Sequence, residues 1–144
     1  MYHKFDLMQK EVKIILMITK EIVEYVLIRA YKCCNTNQFI ISRNENREEN
    51  ELFIKRYNLT KSRQANMIKS LVYTDFCKSE GDIKTQNETV YIFGKIYELM
   101  NIETGKEELV NTYIKFVFKQ RKSGELMVVI SFHKANKEIK YYFK

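Results

Sequence analysis

Proline and tryptophan are missing from this 144-residue chain, and only four glycines and two histidines occur. With so little glycine there is no G-x-G-x-x-G, G-x-x-x-x-G-K-[ST] or G-x-S-x-G, so dinucleotide, P-loop and hydrolase-elbow readings have no support. Cys33, Cys34 and Cys77 make an odd count without C-x-x-C spacing, which supports neither a disulfide framework nor a zinc site. A reducing cytoplasm is the expected compartment. His3 and His133 stand too far apart for a histidine-rich metal centre, so neither a metal nor a cofactor is expected. The longest early apolar run, Ile14 to Ile18, is far short of a membrane span, and no membrane partner is expected.

What is present describes a folded protein. Hydrophobic residues make up 45% of the chain and aromatics 13%, more than a chain too polar to collapse would carry. The length suits one domain, assigned to residues 19–144, with 1–18 as an N-terminal extension and Met17 as an alternative start. Thr19 predicts a helix cap, Glu21 complements the helix dipole, and Ile22, Val23, Val26, Leu27, Ala30 and Cys34 recur at helical spacing over about 20–34. Gln38 to Arg43 is a short β-like run, Asn44 to Asn50 a polar connection, and Glu51 to Tyr57 a second helix. Thr60 caps a third, amphipathic helix ending near Val72. Cys33, Cys34 and Cys77 are read as packed thiols, although Lys78 beside Cys77 offers some electrostatic activation.

From residue 88 the period changes to two. Val90 to Tyr97 reads as a strand, Asn101 to Lys106 as a turn, Tyr113 to Lys119 as a second strand, Gln120 to Gly124 as a five-residue loop, and Glu125 to His133 as the returning strand of a hairpin. Pairing Lys119 with Glu125 sets Tyr113 opposite Ser131 and Lys115 opposite Val129, with His133 diagonal to Tyr113. Tyr113, Lys115, Ser131 and His133 then share one face. The other face carries Ile114, Phe116, Phe118, Val128, Ile130 and Phe132, expected to rest on the helices. The predicted class is α+β, with N-terminal helices packed on a C-terminal antiparallel sheet.

The formal charge of +7 is uneven: residues 1–54 are neutral, 55–78 carry +5, 79–114 carry −4, and 115–144 carry +6. Such concentrated positive charge favours a phosphate-rich partner, with nucleic acid first. His133, Tyr113 and Lys115, beside Lys119, Arg121 and Lys122, supply the parts for RNA cleavage without metal. Imidazole serves as acid or base, an ammonium stabilises the phosphorane, and a phenol holds the phosphate or, if cations lower its pKa, donates a proton. Each residue alone also fits a bland role: a polar strand histidine, a cross-strand packing tyrosine, a solvated lysine.

The order of short motifs resembles the MqsR-like ribonuclease toxins of bacterial type II toxin-antitoxin systems, whose fold is similar to the RelE toxins. The pieces are Tyr57-Asn58-Leu59-Thr60, Ser70-Leu71, Asp75-Phe76-Cys77-Lys78, Val90 to Lys95, Thr112-Tyr113-Ile114-Lys115 and Val129-Ile130-Ser131-Phe132-His133. They span about residues 38–143. The resemblance implies a metal-independent endoribonuclease that cuts mRNA and is neutralised by a cognate antitoxin. It assigns catalytic roles to Lys78, Tyr113, Lys115 and His133. Arg43, Lys119, Arg121, Lys122 and Ser131 are the expected RNA-binding residues. The family's glutamine near the first long strand has no counterpart around Ile92 and Phe93. Two other expectations stand beside the toxin: a nonenzymatic nucleic-acid-binding module that stacks bases on Tyr113, Phe93 or Tyr91, and a phage-encoded protein-binding inhibitor.

Overall fold

The computed structural model describes residues 18–43, 47–81 and 88–144; the expectations for residues 1–16 and for Asn44 to Asn46 fall outside them. Among the described residues, three α-helices and a five-stranded mixed sheet make an α+β fold. In chain order the elements are α1 (Lys20–Asn35), β1 (Phe39–Ile41), α2 (Glu48–Arg56), α3 (Lys61–Lys69), β2 (Phe76–Gly81), β3 (Thr89–Asn101), β4 (Lys106–Arg121) and β5 (Gly124–Lys134). The sheet order is β1-β5-β4-β3-β2. β2 to β5 pair antiparallel as expected, but β1 lies parallel to β5, which corrects the all-antiparallel expectation.

The helices form where the caps predict. Thr19 Oγ1 accepts from Ile22 N–H at 3.2 Å and Thr60 Oγ1 from Arg63 N–H at 3.3 Å, each satisfying a donor that the first helical turn leaves unpaired. The third helix stops at Lys69 rather than near Val72, and a 3-10 turn over Tyr73–Asp75 leads into β2. The second helix starts at Glu48, three residues ahead of the expected Glu51. Glu48, Glu49 and Glu51 fill its first turn, where carboxylates stabilise the positive end of the dipole. The sequence could have shown this.

All three helices cover one face of the sheet. Val23, Val26, Leu27 and Ala30 of α1, Phe53 of α2 and Ile68 of α3 share one core with Phe93, Ile114, Phe116, Phe118, Met127, Val129 and Phe132 of the sheet. Phe53 meets Phe132 edge-on at 5.4 Å. Arg29 of α1 clamps the start of β5, donating from Nε to Glu125 Oε1 at 3.1 Å while its guanidinium lies 4.1 Å from the Phe118 ring centre.

The β4–β5 hairpin departs from the expected register. Arg121 pairs with Gly124, so the loop is a two-residue turn through Lys122 and Ser123, closed by Gly124 at φ 110°, a conformation that disfavours a side chain. Near the turn Phe118 pairs with Met127 and Phe116 with Val129; beyond it Lys115 pairs with Ser131 and Tyr113 with His133. Ile130 is therefore an extra residue, a β-bulge. The two-residue turn gives residues 125–129 the phase opposite to the expected one, and the bulge switches it back so that Phe132 faces the core. Met127 and Val129 point into the core, whereas Val128 and Ile130, expected there, are only half-buried.

Candidate active site

Two bulges set the site. The first, at Cys77 in β2, puts Lys78 opposite Ile92 of β3, which itself pairs with Lys115 of β4. The second, at Ile130, together with the two-residue turn, puts His133 directly opposite Tyr113, where the expected register makes them diagonal. Lys78, Lys115, Ser131, Tyr113 and His133 accordingly lie on the sheet face away from the helices. The shared face was legible from alternation; the direct Tyr113–His133 pairing was not.

Asn50 of α2, fully buried, fixes the second bulge. Its Nδ2 donates to Ser42 O at 2.8 Å and Ile130 O at 2.9 Å, and its Oδ1 accepts from Phe132 N–H at 2.8 Å. One side chain thus pairs groups that the bulge takes out of the ladder. Sequence reading placed Asn50 in a polar connection and gave it no role.

The outer face is walled by the C-terminal segment. Ala135 N–H donates to Asn111 O, Tyr142 N–H donates to Phe76 O, and the Phe143 ring meets Tyr73 at 5.4 Å. Ile139 and Tyr141 press onto Gly94, where a Cβ would lie 2.6 Å from Ile139 Cδ1. Between this segment and the sheet opens a cleft of about 520 Å³. Lys78, Ile92, Tyr113 and His133 line it from the sheet, and Lys137 and Lys140 line it from the segment. The two tail lysines were not singled out from the sequence, although both belong to its most basic block.

Tyr113 and His133 stack with ring centres 5.6 Å apart and planes 25° apart. His133 Nδ1 is 2.8 Å from Lys134 O and 3.4 Å from Glu49 Oε2. The phenol pKa of Tyr113 is raised, first by burial and then by Glu80, with Lys78 acting weakly in the other direction. A proton donor of lowered pKa is therefore the wrong role for Tyr113; it is a neutral hydroxyl that holds its proton.

Glu80 is the residue that sequence reasoning missed. Its carboxylate sits 3.0 Å from Lys78 Nζ and 3.8 Å from Lys115 Nζ, and these lysines hold its pKa below the usual value, Lys78 most strongly. The Lys78 ammonium is in turn held more firmly protonated by Glu80. Lys115 is tied to this carboxylate and does not line the cleft. Ser131, beside it, is buried. The Cys77 thiol is pushed up to about 11, chiefly by burial, so it is not an activated nucleophile.

The remaining expected RNA-binding residues lie elsewhere. Lys119, six positions along β4 from Tyr113, is roughly 20 Å away at strand rise, and Lys122 is farther still. Arg43, Lys119, Arg121 and Lys122 do not line the cleft. Lys119 Nζ meets Glu88 Oε2 at 2.5 Å, Arg121 donates to Gln38 Oε1, and Arg43 pairs with Glu51. Among the described residues, no group of three or more His, Cys, Asp or Glu is placed to hold a metal, and no helix is long and apolar enough to cross a membrane. No protein-family model, curated protein or solved structure matches this chain.

Proposed function

We propose that the cleft is the active site of a metal-independent endoribonuclease acting on mRNA. The observation that carries this reading is the direct cross-strand pairing of Tyr113 and His133 in a cleft that Lys78 also lines. In the reaction His133 takes the proton of a ribose 2′-hydroxyl, and the 2′-oxygen attacks the adjacent phosphorus. The Lys78 ammonium and the Tyr113 hydroxyl donate hydrogen bonds to the non-bridging oxygens, where charge builds up. The bond to the 5′-oxygen breaks, that oxygen takes a proton from water in the open cleft, and the imidazolium returns its proton to the hydroxide left behind. The products are a 2′,3′-cyclic phosphate and a 5′-hydroxyl end. Lys137 and Lys140 draw the RNA backbone in.

The motif order described above supports an MqsR-like toxin with a RelE-like arrangement of helices and sheet, acting in the cytoplasm and neutralised by a cognate antitoxin. The test is incubation of the purified protein with single-stranded RNA in EDTA. Expected are cyclic-phosphate ends, no cleavage where the 2′-hydroxyl is replaced by hydrogen, and a loss of at least about 100-fold for His133→Ala and Lys78→Ala. RNA left intact by excess protein, or cut equally by all three proteins, would overturn the reading.

Glu80 favours a second reading, in which the face binds nucleic acid without cutting it. A carboxylate between Lys78 and Lys115 offsets the positive charge that a phosphorane needs. RNA retention that His133→Ala leaves unchanged, with no new ends, would select that reading.

A further inference from the structure

His133 makes contacts on one side of its ring that the reaction as described does not use. A carbonyl oxygen has no proton to give, so the 2.8 Å contact between Nδ1 and Lys134 O is a hydrogen bond only when Nδ1 carries the hydrogen. The Glu49 carboxylate faces the same nitrogen at 3.4 Å. Glu49 is itself held in place, because Asn136 Nδ2, from the segment that walls the cleft, donates to the same Oε2 at 2.9 Å. Glu49 also directly precedes Asn50, the residue that fixes the bulge beneath His133. One turn of α2 therefore governs both where the imidazole stands and what its Nδ1 meets.

We propose that Glu49 is a positioning residue for His133. With Lys134 O it holds the Nδ1–H tautomer, which leaves Nε2 unprotonated as the base. When Nε2 takes a proton, Nδ1 keeps its hydrogen bond to Lys134 O and its place beside Glu49, so the ring need not turn during the reaction. This inference rests on the cleavage reading for its use, but the tautomer can be observed without any RNA.

The experiment is long-range proton–nitrogen NMR of the full chain at a pH where imidazole is neutral, with His133 identified by the signals that His133→Gln removes. The native protein should show Nδ1 protonated and Nε2 bare. Glu49→Ala should shift the population several-fold toward Nε2–H, the form an unrestrained histidine favours. Glu49→Gln, whose amide oxygen still accepts, should keep Nδ1–H. Glu49 has a side chain 57% exposed, so neither variant is expected to unfold the chain. In the RNA assay Glu49→Ala should lower kcat about tenfold with KM nearly unchanged, and Glu49→Gln should lower it less. A native Nε2–H form, or a tautomer population indifferent to Glu49→Ala, overturns the proposal. Intact RNA with every protein, while the tautomer shifts as described, would sink the cleavage reading and leave the role of Glu49 toward the imidazole standing.

Discussion

Asn50 and Phe132 are joined across 82 positions of sequence by a 2.8 Å hydrogen bond from the Phe132 backbone N–H to the Asn50 side-chain oxygen. With the bond from Asn50 Nδ2 to Ile130 O, it brackets the bulge on both sides. The bulge then decides which residue of β4 faces His133. A helix side chain with no place in the chemistry therefore sets the geometry of the site.

Replacing Asn50 by Ala should destabilise the protein by about 2–4 kcal/mol, because the buried Phe132 N–H and the part-buried Ile130 and Ser42 carbonyls lose their partner. Chemical denaturation measures it. A cost below about 1 kcal/mol would mean that the bulge holds itself without Asn50. The Tyr113–His133 ring contact, followed by cross-peaks between the two rings, should weaken in the same variant.

The same pair explains what could be read in advance. Alternation in β4 is unambiguous, since Lys115 and Lys119 mark the outer face against Ile114, Phe116 and Phe118, and the structure places them so. In β5 the run from Leu126 to Ile130 is apolar at every position and fits either phase equally. Its phase is set by the tight turn at Lys122 and Ser123, and the switch of phase before Phe132 is pinned by Asn50, a contact that local spacing cannot report. The extent of the cleft was hidden for a similar reason. It depends on where the C-terminal segment lies, and that segment has neither a helical nor a strand period. Glu80 lies two positions after Lys78, so its proximity was readable once Lys78 was assigned to a strand.

Gly94 should tolerate alanine only by displacing the C-terminal segment. The added Cβ would stand 2.6 Å from Ile139 Cδ1 and 2.7 Å from Ile139 Cγ2, both closer than van der Waals contact allows. Gly94→Ala is expected to speed tryptic cutting at Lys137 and Lys140. Adding Ile139→Ala should restore part of the resistance, because the two changes act on one contact. Equal cutting rates for native and Gly94→Ala protein would show that the segment is not seated on this glycine.

Alkaline pH should destabilise the fold through Tyr57. Burial, reinforced by its hydrogen bond to Glu108 at 2.6 Å, raises the Tyr57 phenol to about 12 from an ordinary 10. Between those values the unfolded chain has lost a proton that the folded chain keeps. The stabilisation is fully present below about pH 10 and is lost as pH rises through about 12. The expected result is a melting temperature that falls over this window in native protein and falls less steeply in Tyr57→Phe. Parallel curves would remove Tyr57 as the cause. Glu108 acts at the opposite end of the scale. The hydrogen bond from Tyr57 holds its carboxyl below the usual range, so its contribution is present above the unfolded carboxyl pKa and disappears as pH falls through the lower folded value.

Glu80 should act as a brake on anion binding. Its carboxylate engages both lysines of the row that crosses β2, β3 and β4, and an incoming phosphate must compete with it for Lys78. The Lys78–Glu80 pair is exposed at both ends, with side chains 62% and 45% accessible, so the competition is winnable by a dianionic or polyanionic ligand. Glu80→Gln removes the competitor and keeps the side-chain shape. RNA affinity at low salt should then rise severalfold, and the plot of log affinity against log salt should steepen by about one unit, as expected when one more cation is free to meet a phosphate. Glu80→Gln with Lys78→Ala should lose that gain. If the single variant binds RNA with native affinity and salt slope, Lys78 does not meet the phosphate backbone, and the ammonium must be struck from the cleavage scheme.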